Sequence, residues 1–116
     1  MDFRKQKSIY QQIADRLMDQ IVAGNPAADE RMPSVRDVAV ALGVNPNTVM
    51  RSFDYLQGEG IIYNRRGVGY FASPDAKEKI LALQRREFLE EELPYIRQRM
   101  KTLGISINEL TLDDVV

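Results

Sequence analysis

The sequence predicts an α+β fold that is mainly α, and three observations carry that prediction. Apolar residues recur at helical spacing in five segments, each bounded by glycine, proline or a capping residue. One stretch alone, around residues 61–72, changes to β-prone runs on either side of a glycine-containing turn. The length, 116 residues, suits one small domain with a short appendage and cannot hold two full cores.

The elements follow in order. From Ser8 to Ala23, Ile9, Ile13, Leu17 and Ile21 recur every four residues, with Tyr10, Ala14 and Met18 beside them, and Gly24-Asn25-Pro26 ends the helix. After a polar loop, Ser34 is placed to cap a short helix, with Asp37 three residues on to support its first turn. Val35, Val38, Ala39 and Leu42 form the buried face of that helix, and Gly43 closes it. Asn45-Pro46 opens the next, since Asn is a strong cap and Pro is favoured at the first helical position. Val49, Phe53 and Leu56 face inward before Gly58-Glu59-Gly60 ends it. Ile61-Ile62-Tyr63 and Tyr70-Phe71-Ala72 then bracket Asn64 to Gly69 as a hairpin. Ser73-Pro74-Asp75 repeats the helix-start signal before a long helix containing Ile80, Leu83, Phe88 and Leu89. Pro94 predicts a break or sharp kink near Leu93, because it lacks the backbone donor. A last helical stretch carries Leu93, Ile96, Met100 and Leu103 to Gly104, and Ile105 to Val116 is weakly patterned.

Composition removes several function classes. With neither His nor Cys, the chain lacks the usual zinc ligands, disulfides, and the Ser–His and Cys–His nucleophile pairs. No metal or cofactor is expected. No segment reaches membrane-spanning length, and Met1 to Lys5 leads into no apolar signal core, so a soluble, cytoplasmic protein is expected. Net charge is −1; residues 1–73 hold 9 Lys+Arg against 8 Asp+Glu, and residues 74–116 hold 7 against 9. Neither balance signals a nucleic-acid partner, so any such signal is positional.

Helix, short helix, tight turn at Gly43-Val44, helix and hairpin make up the order of a winged helix-turn-helix. In that arrangement the N-terminal residues of the second motif helix enter the DNA major groove. Here those are Asn45, Pro46, Asn47 and Thr48, with Arg51 one turn on. Amide, hydroxyl and guanidinium groups can read base edges or hold phosphates. Ser34 and Arg36 can hold a phosphate at the start of the preceding helix. Arg65 and Arg66 stand at the hairpin turn beside Gly67, which permits close backbone approach. Asn45 is first of all a cap, and Glu90-Glu91-Glu92 reads as a solvated face.

These residues resemble a known family. Ser8-Ile9-Tyr10-Gln11-Gln12-Ile13, Met32-Pro33-Ser34-Val35-Arg36, Leu42 to Val49, Gly58-Glu59-Gly60-Ile61-Ile62 and Arg65 to Phe71 together resemble the N-terminal domain of GntR-family transcription regulators. The resemblance implies that Arg36 and Gly67 occupy positions that commonly contact DNA. Pro46 and Met50 stand where many members carry Arg, so Asn47, Thr48 and Arg51 are expected to carry more of the readout, as in the short YtrA-like branch. The tail, Asp75 to Ile105, also resembles that branch, which implies control of neighbouring transport genes.

The expected division is a winged helix-turn-helix domain over 1–73 and a short two-helix dimerisation tail over 74–116. Two amphipathic helices joined at a break cannot bury a closed core alone, and a second copy supplies the missing face. Ile80, Leu83, Phe88, Leu89, Leu93, Ile96 and Met100 are the expected dimer residues. The expected partners are palindromic double-stranded DNA and a second copy. No small-molecule effector is identifiable, and one would sit between subunits. A protein–protein adaptor is the alternative, distinguished by the absence of salt-sensitive DNA binding.

Overall fold

In a computed structural model, residues 7–110 are described. The expectations for Met1–Lys5 and for the end of the tail beyond residue 110 lie outside the described residues. The order is α1 (Ile9–Val22), α2 (Val35–Leu42), α3 (Pro46–Gly58), β1 (Ile62–Arg65), β2 (Gly69–Ala72), α4 (Ala76–Glu87), a π-helical turn (Phe88–Glu92), α5 (Leu93–Leu103) and a 3-10 turn (Ile107–Glu109). Four helices and a hairpin share one core. Among the described residues no helix is long and apolar enough to cross a membrane.

Local chemistry sets the helix starts. Ser8 and Gln11 form a reciprocal capping box at α1. The Ser34 hydroxyl accepts the Asp37 N–H at 3.0 Å, and the Asn45 side-chain oxygen accepts the Asn47 N–H at 2.8 Å. Gly43 closes α2 in the left-handed region at φ 65°, the conformation its lack of a Cβ permits. Replacing Ser34 by Ala is expected to lower stability by about 1 kcal/mol, read as a reduced urea midpoint at unchanged m.

The core stands behind α3. Val49, Phe53 and Leu56 pack with Ile13, Ala14, Leu17, Met18 and Ile21 of α1, Val38 and Ala39 of α2, and Ile61 and Ile62. Phe53 meets Tyr70 edge-on at 5.0 Å between ring centroids. Val35 and Leu42 are only partly buried against this core, and Ile9 points to solvent. In the hairpin, Ile62 pairs with Ala72 and Arg65 with Gly69. A third short stretch completes the sheet: the Asp29 and Met32 N–H groups donate to the Ala72 and Tyr70 carbonyls, and the Ala72 N–H donates to Glu30.

Three expectations are corrected. Ile80 and Leu83 are not on the exposed face of the tail: both are buried in the core of the single chain, where they close the winged domain from the side of α4. An apolar stripe specifies that a face is covered, not by what. Ser73 does not cap α4. Its N–H still donates to the Ile61 carbonyl as a continuation of the sheet, and the helix begins at Ala76 after a turn. Finally, of the break or sharp kink expected at Pro94, the break does not occur. The π turn lets the Leu93 N–H reach back to the Phe88 carbonyl, so helix continues from Ala76 to Leu103. The wider turn accommodates the proline ring and its missing donor within the first turn of α5.

Beyond Leu83 the tail leaves the core. α5 has no buried residue, and the molecule measures 56 × 28 × 22 Å. Leu81, Phe88, Leu89, Ile96 and Leu103 are exposed, whereas Leu93 and Met100 are partly covered.

Candidate nucleic-acid interface

The α2–turn–α3 unit is held by its own backbone, with the Val44 N–H bonded to the Ala39 carbonyl at 3.1 Å behind Gly43. That turn sets the N-terminal residues of α3 on the surface while Val49, Phe53 and Leu56 anchor its opposite side. Asn47 and Arg51 are exposed and Thr48 half-buried. The Asn45 oxygen is committed to the cap, which leaves its amide N–H₂ for other partners.

Arg51 is not a free side chain. Its guanidinium carbon lies 4.3 Å from the centre of the Tyr10 ring, and that ring meets Tyr55 at 6.4 Å. Stacking uses the face of the guanidinium and leaves its in-plane N–H donors available. The buried Ser52 hydroxyl donates to the Tyr10 carbonyl at 2.7 Å, which ties α3 to the first turn of α1. Tyr10 and Ser52 therefore position the exposed face of α3. Neither part is legible in the sequence, because each depends on a contact between distant segments.

Ser34 and Arg36 occupy the start of α2, where Arg36 is exposed and has no ion-pair partner among the described residues. At the hairpin tip, the Val68 N–H closes the turn on the Arg65 carbonyl at 2.8 Å. Gly67 adopts φ 78° there, with open space where a side chain would project. Arg65 lies 5.3 Å over the Phe71 ring, while Arg66 projects into solvent. The Tyr63 hydroxyl donates to Asp29 at 2.8 Å. That hydrogen bond, then desolvation, raises the phenol above its usual pKa.

Six acidic side chains gather elsewhere. Asp15, Glu59, Glu87 and Glu90 to Glu92, with Lys7 and Arg86, line a crevice of about 400 Å³ between α1, the end of α3 and α4. Arg86 pairs with Glu59 at 3.3 Å, and Lys7 pairs with Asp15 and lies 3.9 Å from Glu87. Burial raises the Glu87 carboxyl, with neighbouring carboxylates adding to the shift against Lys7. The Tyr55 phenol is pushed up to about 12, chiefly by burial and then by Glu87 and Glu59. These interactions join α4 to the winged domain. They place negative charge away from the start of α3.

Residues 9–71 match the model of the family described as "Bacterial regulatory proteins, gntR family". The chain is 31% identical over 105 residues to the HTH-type transcriptional repressor YtrA of Bacillus subtilis, covering 90% of this chain and 75% of that protein. A solved GntR-family transcriptional regulator from Bacteroides thetaiotaomicron superposes with a TM-score of 0.77 at 48% identity, covering 88% of each chain. The DNA-binding domain of AraR in complex with operator ORX1 has the same fold, at 21% identity and a TM-score of 0.57, over 60% of this chain and 84% of that one.

Proposed function

The chain belongs to the GntR family, as a YtrA-like winged-helix DNA-binding transcription regulator, and on that premise we propose that it is a repressor binding an inverted-repeat operator as a homodimer. The observation that carries the reading is the face of α3: Asn47, Thr48 and Arg51 stand outward on a helix whose other side is fixed in the core. Asn47 and Thr48 read base edges in the major groove, and Arg51, steadied by Tyr10, binds guanine or phosphate. Ser34 and Arg36 clamp a backbone phosphate at the start of α2, and Arg65, Arg66 and Gly67 grip the flanking groove. Asn45 caps α3 and offers its amide N–H₂ groups to DNA.

The second copy lies against the exposed tail. Phe88, Leu89, Leu93, Ile96 and Met100, with Leu81, form the clasp, and the two α3 helices then enter successive major grooves about 34 Å apart. Occupying a promoter in this way represses it, and transport genes near the regulator's own are the proposed targets. The regulator acts in the cytoplasm, where its DNA is.

Titration of a fluorescent duplex, recovered by in vitro selection with this chain, tests the reading. Binding is expected to fall steeply with salt, because neutralised phosphates release counterions. Arg36→Ala is expected to weaken it by about tenfold to a hundredfold, the cost of one strong guanidinium contact. Salt-independent binding to protein partners, with no affinity for duplex DNA, would instead support the adaptor reading.

A further inference from the structure

We propose that Arg31 is a further DNA contact, a third wing cation that binds a backbone phosphate; this rests on the DNA-binding reading above. In sequence Arg31 stands 34 positions before Arg65, in the loop that follows α1. The fold joins it to the wing. Asp29 to Met32 lies along the free edge of β2, with Arg31 opposite Phe71 and the Met32 N–H donating to the Tyr70 carbonyl at 2.7 Å.

The Arg31 side chain then crosses the wing at Gly69. A Cβ at that glycine would come within 3.0 Å of the Arg31 Nε and 3.3 Å of an Nη. Gly69 also sits at φ 144°, a conformation that side-chain-bearing residues rarely adopt. The glycine therefore makes room for the guanidinium, on the residue that pairs with Arg65 in the hairpin. Arg31, Arg65 and Arg66 thus belong to one small sheet and its turn.

Among the described residues no carboxylate neutralises Arg31. The two acids preceding it are engaged elsewhere: Asp29 accepts from the Tyr63 hydroxyl, and Glu30 accepts from the Ala27 N–H at 2.9 Å. Arg31 makes no ion pair among the described residues and is exposed. An exposed guanidinium held against a sheet, with its donors unspent, matches the geometry and charge of a phosphate diester. A phosphate contact positions the protein without reading sequence.

The test is anisotropy titration of the selected duplex and of a random duplex of equal length, across a salt series. Arg31→Gln is expected to weaken both by about tenfold at low salt and to reduce the slope of log affinity against log salt by about one, the signature of one lost phosphate contact. Arg31→Lys, which keeps the charge, is expected to retain the wild-type slope. A wild-type slope in Arg31→Gln, in a chain whose thermal melt is unchanged, overturns the proposal while leaving the function intact. Absence of salt-dependent duplex binding by the wild-type chain overturns the function, and the proposal with it.

Discussion

Leu89→Asp is expected to give a folded monomer whose affinity for the selected operator falls by a factor of about a hundred or more. Leu89 is 52% exposed in the single chain, beside Phe88 and Leu81, which are 41% and 61% exposed. A polar residue at such a position changes monomer stability by no more than about 0.5 kcal/mol. Within the proposed clasp the same carboxylate is buried without a partner, at a cost of several kcal/mol. Two-fold symmetry places that cost on both copies. A monomer binds one half-site and loses the gain in effective concentration that a linked second half-site provides. Sedimentation and operator titration read the two effects separately. A variant that sediments as a dimer and binds the operator unchanged would sink the account of the tail.

Phe53→Ala is expected to lower stability by about 3–5 kcal/mol, the range for truncating a fully buried aromatic. Its ring is wholly enclosed, meets Tyr70 edge-on, and belongs to the cluster that joins α1, α2, α3 and the wing. Because folded domains are stable by only about 5–15 kcal/mol, this one change removes a large share of the total. Urea unfolding should show a lower midpoint at unchanged slope. DNA affinity per folded molecule should change little, since Phe53 faces away from the exposed end of α3. A loss below 1 kcal/mol would mean that the core closes without this side chain.

The starts of α2 and α3 were legible because their chemistry is local. Ser34 bonds a residue three positions away and Asn45 one two positions away, so the pattern and the contact lie in the same few residues. The hairpin was legible for the same reason, its strands being joined by a short turn. Orientation was not. Ile80 and Leu83 sit on a helical apolar stripe that fits a partner subunit as well as it fits the monomer core, and packing against α1 decided for the core. Pro94 announced a lost backbone bond correctly, but whether the chain breaks or widens into a π turn depends on how the neighbouring carbonyls are met.

From its sequence alone, this chain's fold class, element order and family could be read, together with the residue types at the start of α3. All of these follow from spacing, capping and turn chemistry within short windows. Only the tertiary structure decided that Tyr10 stacks on Arg51, that α4 closes the winged domain before its exposed apolar face begins, and that Arg31 joins the wing. Those contacts join residues far apart in the chain. Their partners are set by which surfaces meet when the core excludes water, and no local pattern encodes that.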